Sequence, residues 1–153
     1  MKYYVAVAMD VDLQDSTLSA IDIVKTLLDN GFWAFSSSAP VKEKLAVGDN
    51  ILFYVGGKGR HYFIAKGLVK SKVNTANDEQ KAVLNRIGIA FFSKTISIEE
   101  VEWFQAPVEL IPLKNQLTFI ADKKNYGLSL RLPLREIKKD DYLMILDNAN
   151  YIM

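Results

Sequence analysis

The segment that most constrains the fold is a predicted β-hairpin in the first half of the chain. Residues 50–55 read NILFYV and residues 62–73 read YFIAKGLVKSKV, and both are rich in the β-branched and aromatic residues that strands favour. Between them, residues 56–60 read GGKGR, and the glycines allow the chain to reverse direction. Two paired strands are predicted here, so the remaining segments must extend or cover the sheet that this hairpin begins.

The segments before the hairpin predict one strand and one helix. Residues 2–9 alternate β-branched and aromatic residues, which indicates a strand. Residues 18–28 carry apolar side chains at helical spacing, with Ser16 as the expected N-cap. Asn30 and Gly31 are expected to end that helix, because both residue types favour the turn that follows a last helical residue.

The segments after the hairpin predict a similar mixture. Helices are expected over residues 77–86 and 140–146, and strands over residues 91–104 and 127–132. Residues 133–139 are expected to contain a polar turn. Many short strands accompanied by two or three helices predict an α+β fold, built as a small barrel or a sandwich.

Length and composition exclude several classes of site. The 153 residues suit one domain, and half of them are hydrophobic, which is enough for a packed core. The chain has no cysteine and one histidine, His61. Thiolate metal sites and cysteine nucleophiles are therefore excluded, and a histidine-rich metal site or a Ser-His-Asp triad is unpromising. We expect no metal and no other cofactor.

The predicted location is the cytoplasm. The first residues, MKYYVAVAMD, do not form a signal peptide, because one lysine precedes a short apolar run that Asp10 breaks. No apolar stretch approaches the roughly 20 residues that span a bilayer, so no membrane partner is expected. The absence of cysteine favours a reducing compartment or a hot environment.

Charge is distributed unevenly along the chain. The formal net charge is +1, so the whole molecule is not a general binder of polyanions. Residues 1–55 hold 4 basic and 7 acidic side chains, whereas residues 56–153 hold 15 and 11. The later part of the chain can therefore supply a local basic face.

One segment, NGFWAFSSSAP at residues 30–40, combines large aromatic side chains with serines. Phe32, Trp33 and Phe35 precede three consecutive serines and a proline. The aromatic side chains either belong to the core, with the serines in a turn, or form with the serines a pocket for a flat ligand with a polar edge.

Four stretches resemble the EVE and YTH domains of the PUA-like superfamily. KYYVAVAMD is similar to their first strand, and NGFWAFSSSAPVKEKL is similar to the YTH segment in which Gly-x-Trp precedes a polar loop and Lys-x-Leu. KLAVGDNILFYVGGKGRHYFIAKGLV and PVELIPLKNQLTFIADKKNYGLSLRLPLREIKKDDYLMI are similar to the two halves of the EVE pattern. These stretches are collinear with the families and span nearly the whole chain. Tyr126 stands where a tryptophan is usual, and Asp10 where an asparagine is usual.

The resemblance implies a single PUA-like domain over residues 1–153, with a strongly bent mixed sheet or barrel of five or six strands and flanking helices. It implies a non-catalytic module that recognises a methylated base flipped into an aromatic pocket, in DNA rather than RNA. EVE modules commonly serve as specificity domains of modification-dependent restriction systems, so the resemblance also allows a fused or associated motor or nuclease domain.

The resemblance also implies a set of site residues. The expected base-binding residues are Asp10, Trp33, Phe35, Ser36, Ser37, Tyr54, Phe92 and Tyr126. The expected phosphate contacts are Lys58, Arg60, Lys123, Lys124 and Arg131. Structural roles remain open beside these: the aromatic residues suit a core, the serines a turn, Asp10 a helix cap, and the basic residues a solvated surface.

Three other functions stay open at this stage. A YTH-like reader of methylated RNA differs from the favoured function only in its nucleic acid. An ASCH-like hydrolase of nucleosides or RNA would need an acid or base beside a nucleophile, and Glu99, Glu100 and Glu102 have the alternation of a solvated strand face. A protein-interaction module would use exposed aromatic side chains as its partner surface.

Overall fold

The computed structural model describes residues 1–36, 45–57 and 59–149. In that part of the chain the helices are α1 (Ala20–Asp29), α2 (Asp78–Arg86) and α3 (Lys139–Asp147). The strands are β1 (Tyr3–Ala8), β2 (Val11–Asp12), β3 (Thr17–Leu18), β4 (Phe32–Phe35), β5 (Asn50–Val55), β6 (Tyr62–Val69), β7 (Asn74–Thr75), β8 (Lys94–Glu109) and β9 (Leu134–Ile137). Short 3-10 helices occupy Ile111–Leu113 and Tyr126–Leu130.

The main sheet has the strand order β4-β8-β6-β5-β1-β9, and the two-residue strand β7 adds to β8. Strands β1 and β5 are parallel, while the other neighbours are antiparallel, so the sheet is mixed. Helices flank this curled sheet. The predicted α+β architecture, a bent mixed sheet with helices around it, is confirmed.

The predicted hairpin forms the middle of the sheet. Strands β5 and β6 pair from Asn50 with Leu68 to Val55 with Tyr62, with one register shift after Phe53. The second strand ends at Val69, four residues earlier than the pattern predicts. After Val69, the N–H of Lys70 makes one further hydrogen bond, to the carbonyl of Ser97 on β8.

Strand β8 bends the sheet. Its first four residues pair with β4 and the rest with β6, so one strand of 16 residues joins the two parts. Extra residues on β8 interrupt the register twice, and Glu100 at the first interruption has a φ of 51°. A β-bulge of this kind bends a strand and increases its twist. The sequence pattern predicted this strand from residue 91 to residue 104. The structure begins it at Lys94, so the strand predicted for residues 91–93 is wrong, and extends it through Glu109.

Helix α1 begins later than predicted. Its N-cap is Ser19, whose Oγ accepts a hydrogen bond from the Asp22 N–H at 3.1 Å, so the assignment to Ser16 is wrong. The carbonyl of Ser16 accepts from the Leu13 N–H and closes the β2–β3 hairpin instead. Both serines precede the apolar repeat, and only the chain reversal at residues 13–16 decides between them.

The C-terminal part contains two further corrections. The strand predicted at residues 127–132 is wrong, because Tyr126–Leu130 is a 3-10 helix. The polar turn predicted at residues 133–139 is also wrong, because Leu134–Ile137 is strand β9, paired with β1. This strand lies at the end of the sheet order, and only Ile137 in it is fully buried, so polar side chains are tolerated in it.

The two faces of the sheet carry two separate cores. The first contains Ala6, Phe53 and the aromatic residues of β4, and helix α1 packs against it. The second contains Val5 and Leu52 from the alternate positions of the same strands, together with side chains of α3. None of the helices in the described ranges is long and apolar enough to cross a membrane.

Replacing Glu100 by glycine is expected to stabilise the protein. A left-handed φ costs a non-glycine residue roughly 1–2 kcal/mol, while glycine in a strand costs about 0.5–1 kcal/mol in entropy, so the free energy of unfolding should rise by up to about 1 kcal/mol. Urea denaturation measures the change. The neighbouring Glu99→Gly substitution, at a position without positive φ, should lower the same quantity, and equal destabilisation by both substitutions contradicts the prediction.

Two buried tyrosines predict a loss of stability at alkaline pH. Burial, followed by the charges of Glu136 and Asp49, raises the pKa of Tyr4 to about 12. Burial, with a smaller contribution from Tyr126, also raises the pKa of Tyr54 above its ordinary value. An unfolded tyrosine titrates near pH 10, so between about pH 10 and 12 the unfolded chain loses protons that the folded chain retains.

The expected outcome is full stability below pH 10 and a falling free energy of unfolding from pH 10 to 12. Urea denaturation across that range, for the native chain and for Tyr4→Phe, measures it. The variant lacks one of the titrating groups, so its curve should fall less steeply. Parallel curves for the two proteins would show that Tyr4 does not contribute.

Candidate functional site

A cavity of about 340 Å³ opens where strand β1 ends. Strands β1, β2 and β4, helix α1 and several connecting segments build its wall, so no single stretch of sequence contains it. The lining residues are 7–11 from the end of β1 to the start of β2, Ile23 of α1, residues 33–36 at the end of β4, Phe92 before β8, and Arg131 and Pro133 before β9.

The aromatic wall of the cavity comes from β4 and from the segment before β8. Trp33, Phe35 and Phe92 all line it. Trp33 is only 3% exposed, and its ring packs against Phe53 with centroids 5.0 Å apart. The indole therefore belongs to the first core and to the cavity wall at once. Ser36, directly after β4, adds a polar group to the same wall.

Asp10 supplies the carboxylate of the cavity. Its Oδ1 accepts a hydrogen bond from the Ala20 N–H at 2.9 Å, at the start of helix α1. Its Oδ2 accepts from Nη2 of Arg60 at 2.7 Å, which is an ion pair between partly buried side chains. Gly57 lies beside the same carboxylate with a φ of 120°, where a side chain would be strained. The carboxylate is thus held in one orientation at the mouth.

Tyr54 and Tyr126 lie away from this cavity. Both belong to the second core, on the opposite face of the sheet from Trp33. The Tyr54 hydroxyl lies 3.5 Å from Nδ1 of His61, and the His61 ring meets the Tyr126 ring edge to face at 5.5 Å. The structure therefore brings Asp10 and the other described base-binding candidates together, and leaves these two tyrosines apart.

The residues expected to contact phosphates are dispersed. Arg131 is exposed and lines the cavity, whereas Arg60 is committed to Asp10. Lys123 donates from Nζ to the carbonyl of Leu117 at 2.8 Å, and Lys124 is exposed.

The lysine loop is organised by the carboxylate of Asp122. This group accepts from the backbone N–H and side-chain amide of Asn125 and from the backbone N–H of Lys124. Those hydrogen bonds hold the pKa of Asp122 below its usual range, with the backbone N–H of Asn125 as the largest cause. The remaining predicted residues, Ser37 and Lys58, lie outside the described residues.

Seven lining residues were not predicted: Val7, Ala8, Met9, Val11, Ile23, Ala34 and Pro133. Met9 directly precedes Asp10 at the end of a predicted strand, so its position in sequence was a usable signal. Ile23 resembles any other apolar residue of an amphipathic helix. Pro133 fell in the segment predicted to be a polar turn, and only the pairing of β9 with β1 brings it here. Within the described ranges, no group of three or more metal-ligating side chains is close enough to hold an ion.

A second, more open depression of about 700 Å³ lies at the other end of β1. Lys2, Arg135, Lys138 and Lys139 contribute to its lining, together with Glu136. None of the predicted base-binding residues lines it, so the smaller cavity beside Trp33 is the candidate site.

Several solved structures share the fold. Human THYN1, in a crystal structure with DNA containing 5-methylcytosine, aligns with a TM-score of 0.63 at 9% identity over 96% of each chain. A hypothetical protein from Leishmania major aligns with a TM-score of 0.58 at 14% identity, over 96% of this chain and 93% of that one. The N-terminal domain of McrB from Staphylothermus marinus aligns with a TM-score of 0.52 at 12% identity, over 96% and 94%.

These low identities establish a shared fold and nothing more specific. No curated protein matches the chain. The sequence model of the EVE domain family matches residues 20–148. This range is most of the sequence and includes β4, the hairpin and α3. On the strength of that match, this protein belongs to the EVE domain family.

Proposed function

We propose that this protein is a non-catalytic module that recognises a methylated base, flipped out of DNA into the cavity beside Trp33. The observation that carries the proposal is the combination of an aromatic wall and an oriented carboxylate around one open cavity of about 340 Å³. That volume is at the lower end of the range for small-molecule sites, which suits a single heterocycle.

Stacking supplies the free energy that extrusion of a base requires. Removing a base from its stack costs a few kcal/mol, and stacking on an aromatic ring returns about 1–3 kcal/mol per base. Trp33 and Phe92 provide rings, and Ile23 provides an aliphatic surface for a methyl group. Because the Trp33 ring is fixed against Phe53, little conformational entropy is lost when a base stacks on it.

The carboxylate of Asp10 favours a base with an exocyclic amino group. A carboxylate offers about four acceptor positions, and the Ala20 N–H and Arg60 use one on each oxygen. The remaining positions can accept from the amino group of cytosine or adenine, but cannot pair with the O4 carbonyl of thymine or uracil. A methylated cytosine meets both the apolar and the polar requirement of the cavity.

One relative in fold supports DNA as the ligand. The THYN1 structure contains DNA with 5-methylcytosine, and the McrB N-terminal domain shares the fold. They support a role as the specificity domain of a modification-dependent restriction system, with a motor or nuclease domain as the expected partner. Methylated RNA is the alternative ligand. A hydrolase has less support, because Glu99, Glu100 and Glu102 are exposed on β8 and do not line the cavity.

The two tryptophans allow a direct test of the cavity. Trp33→Phe and Trp103→Phe are matched substitutions, because Trp103 is partly buried on β8 and does not line the cavity. In Trp103→Phe the only remaining indole is Trp33, so a DNA oligonucleotide with 5-methylcytosine should change the fluorescence in a saturable way. Trp33→Phe should bind about 5- to 10-fold more weakly, because a smaller ring stacks less well.

The titration includes unmethylated DNA and RNA with and without methyl groups. Weak, salt-dependent binding of every oligonucleotide is expected from the basic side chains, and the preference for methylated DNA should shrink in Trp33→Phe. An unchanged preference in Trp33→Phe contradicts the proposal. Preference for methylated RNA instead selects the alternative ligand.

Asp10 predicts discrimination between 5-methylcytosine and thymine, which differ in the exocyclic group at C4 and in the proton on N3. Single-stranded oligonucleotides that differ only at this base should bind the native protein with affinities at least about 10-fold apart, in line with the ~1–3 kcal/mol of a good base contact. Asp10→Ala should remove most of that difference. Asp12→Ala, at an exposed position on β2, is the control and should retain it. Retained discrimination in Asp10→Ala excludes the assigned role.

A further inference from the structure

Exposed apolar side chains lie in the lining of the cavity or directly beside it in sequence. Seven large apolar side chains are strongly exposed in the described residues. Of these, Met9 at 51% lines the cavity, and Phe91 at 50% and Leu132 at 48% adjoin lining residues in sequence. Scattered exposed apolar residues are ordinary on a protein surface, but a cluster around a binding site indicates a contact surface. We call Met9, Phe91 and Leu132 the apolar rim.

Each member of the apolar rim is placed by its relation to the lining residues, through lining, ring contact or adjacency in sequence. Met9 lines the cavity itself. The ring of Phe91 meets the ring of Phe92 edge to face, with centroids 4.9 Å apart, and Phe92 lines the cavity. Leu132 stands between two lining residues in sequence, Arg131 and Pro133.

Hydrogen bonds fix the backbone beside two members of the rim, Phe91 and Leu132. The Phe92 N–H donates to the carbonyl of Ile89 and closes the turn that contains Phe91. The Val7 N–H donates to the carbonyl of Pro133, which fixes the chain just after Leu132 against β1. Side chains on a fixed backbone can be inserted into a partner without first paying the entropy of ordering a loop.

Extrusion of a base from a duplex creates a gap that apolar side chains can fill. When one nucleotide leaves a duplex, its neighbours lose a stacking partner and a gap opens in the helix. Proteins that kink DNA insert Phe, Leu, Ile, Met or Pro side chains between base steps. Side chains of the same kind suit the gap that an extruded nucleotide leaves. Arg131, exposed beside Leu132, has the charge to hold the adjacent phosphate.

We propose that the apolar rim is a wedge that enters a DNA duplex beside the extruded nucleotide and fills the space that it leaves. This inference rests on the proposed function and deepens it, because it assigns the ligand to double-stranded rather than single-stranded DNA. A single strand has no vacated position in a helix, so the rim contributes to duplex binding and little to single-strand binding.

The test compares two rim variants, Phe91→Ser and Leu132→Ser, with two control variants, Val47→Ser and Leu143→Ser. The control side chains are also apolar and exposed, at 64% and 42%, and, unlike those of the rim, they have no cavity-lining residue beside them in sequence. All four positions are on the surface, so each variant should fold, and circular dichroism checks this. The ligands are one sequence with a single 5-methylcytosine, as a duplex, as a duplex with an abasic site opposite, and as a single strand.

Each rim variant should bind the intact duplex about 10-fold or more weakly, because a wedge replaces stacking worth on the order of a few kcal/mol per step. The loss should shrink with the abasic site opposite, where extrusion costs less, and fall below about 3-fold for the single strand. A 2-aminopurine placed next to the methylated base should brighten when the native protein binds, and less so with the rim variants. The control variants should match the native protein.

Three outcomes overturn the wedge. The first is native protein that binds only the single strand. The second is rim variants that bind the intact duplex as well as the controls do. The third is an equal loss of affinity for duplex and single strand. If the native protein does not distinguish methylated from unmethylated DNA, the proposed function and the wedge both fail. If the native protein prefers methylated DNA and the second or third outcome is observed, only the wedge is excluded.

Discussion

The carboxylate of Asp10 holds together the segments that surround the candidate cavity. It accepts from the first N–H of α1 and from Arg60, and so connects three segments that are 10 and 50 residues apart in sequence. Hydrogen bonds to a charged group are stronger than neutral ones, and partial burial of this pair shields it from solvent screening. The mouth of the cavity keeps its shape because one side chain fixes the end of β1, the start of α1 and the loop of the central hairpin.

Local patterns predicted most of the fold, and non-local pairing decided the rest. The hairpin was readable because residues 50–55 and 62–69 are apolar and a glycine-rich loop separates them. Strand β9 was not, since Leu134–Ile137 alternates weakly and owes its strand conformation to pairing with β1, more than 120 residues earlier in the chain. The choice between Ser16 and Ser19 as N-cap likewise depended on a short hairpin that propensity alone does not predict.

The sequence also predicted part of the cavity lining. Asp10 and Trp33 were found through family resemblance, and Phe35, Ser36 and Phe92 line the same cavity. Tyr54 shows the limit of alternation along one strand: the pattern puts it on the same face as Leu52, but does not say which face carries the cavity. The structure puts Leu52 and Tyr54 together on the face opposite Trp33. Tyr126 was assigned by similarity to a family tryptophan and lies with Tyr54.

The double position of Trp33, inside the first core and in the cavity wall, limits how the protein can evolve. A mutation that reshapes this ring to suit another ligand also removes packing against Phe53, and loss of a buried tryptophan typically costs about 3–5 kcal/mol. A substitution at Trp33 that suits a new ligand is therefore retained only if the protein still folds. Substitutions that change ligand preference should accumulate instead at the less buried side chains of the wall, such as Ser36 and Phe92, where a substitution destabilises the fold less.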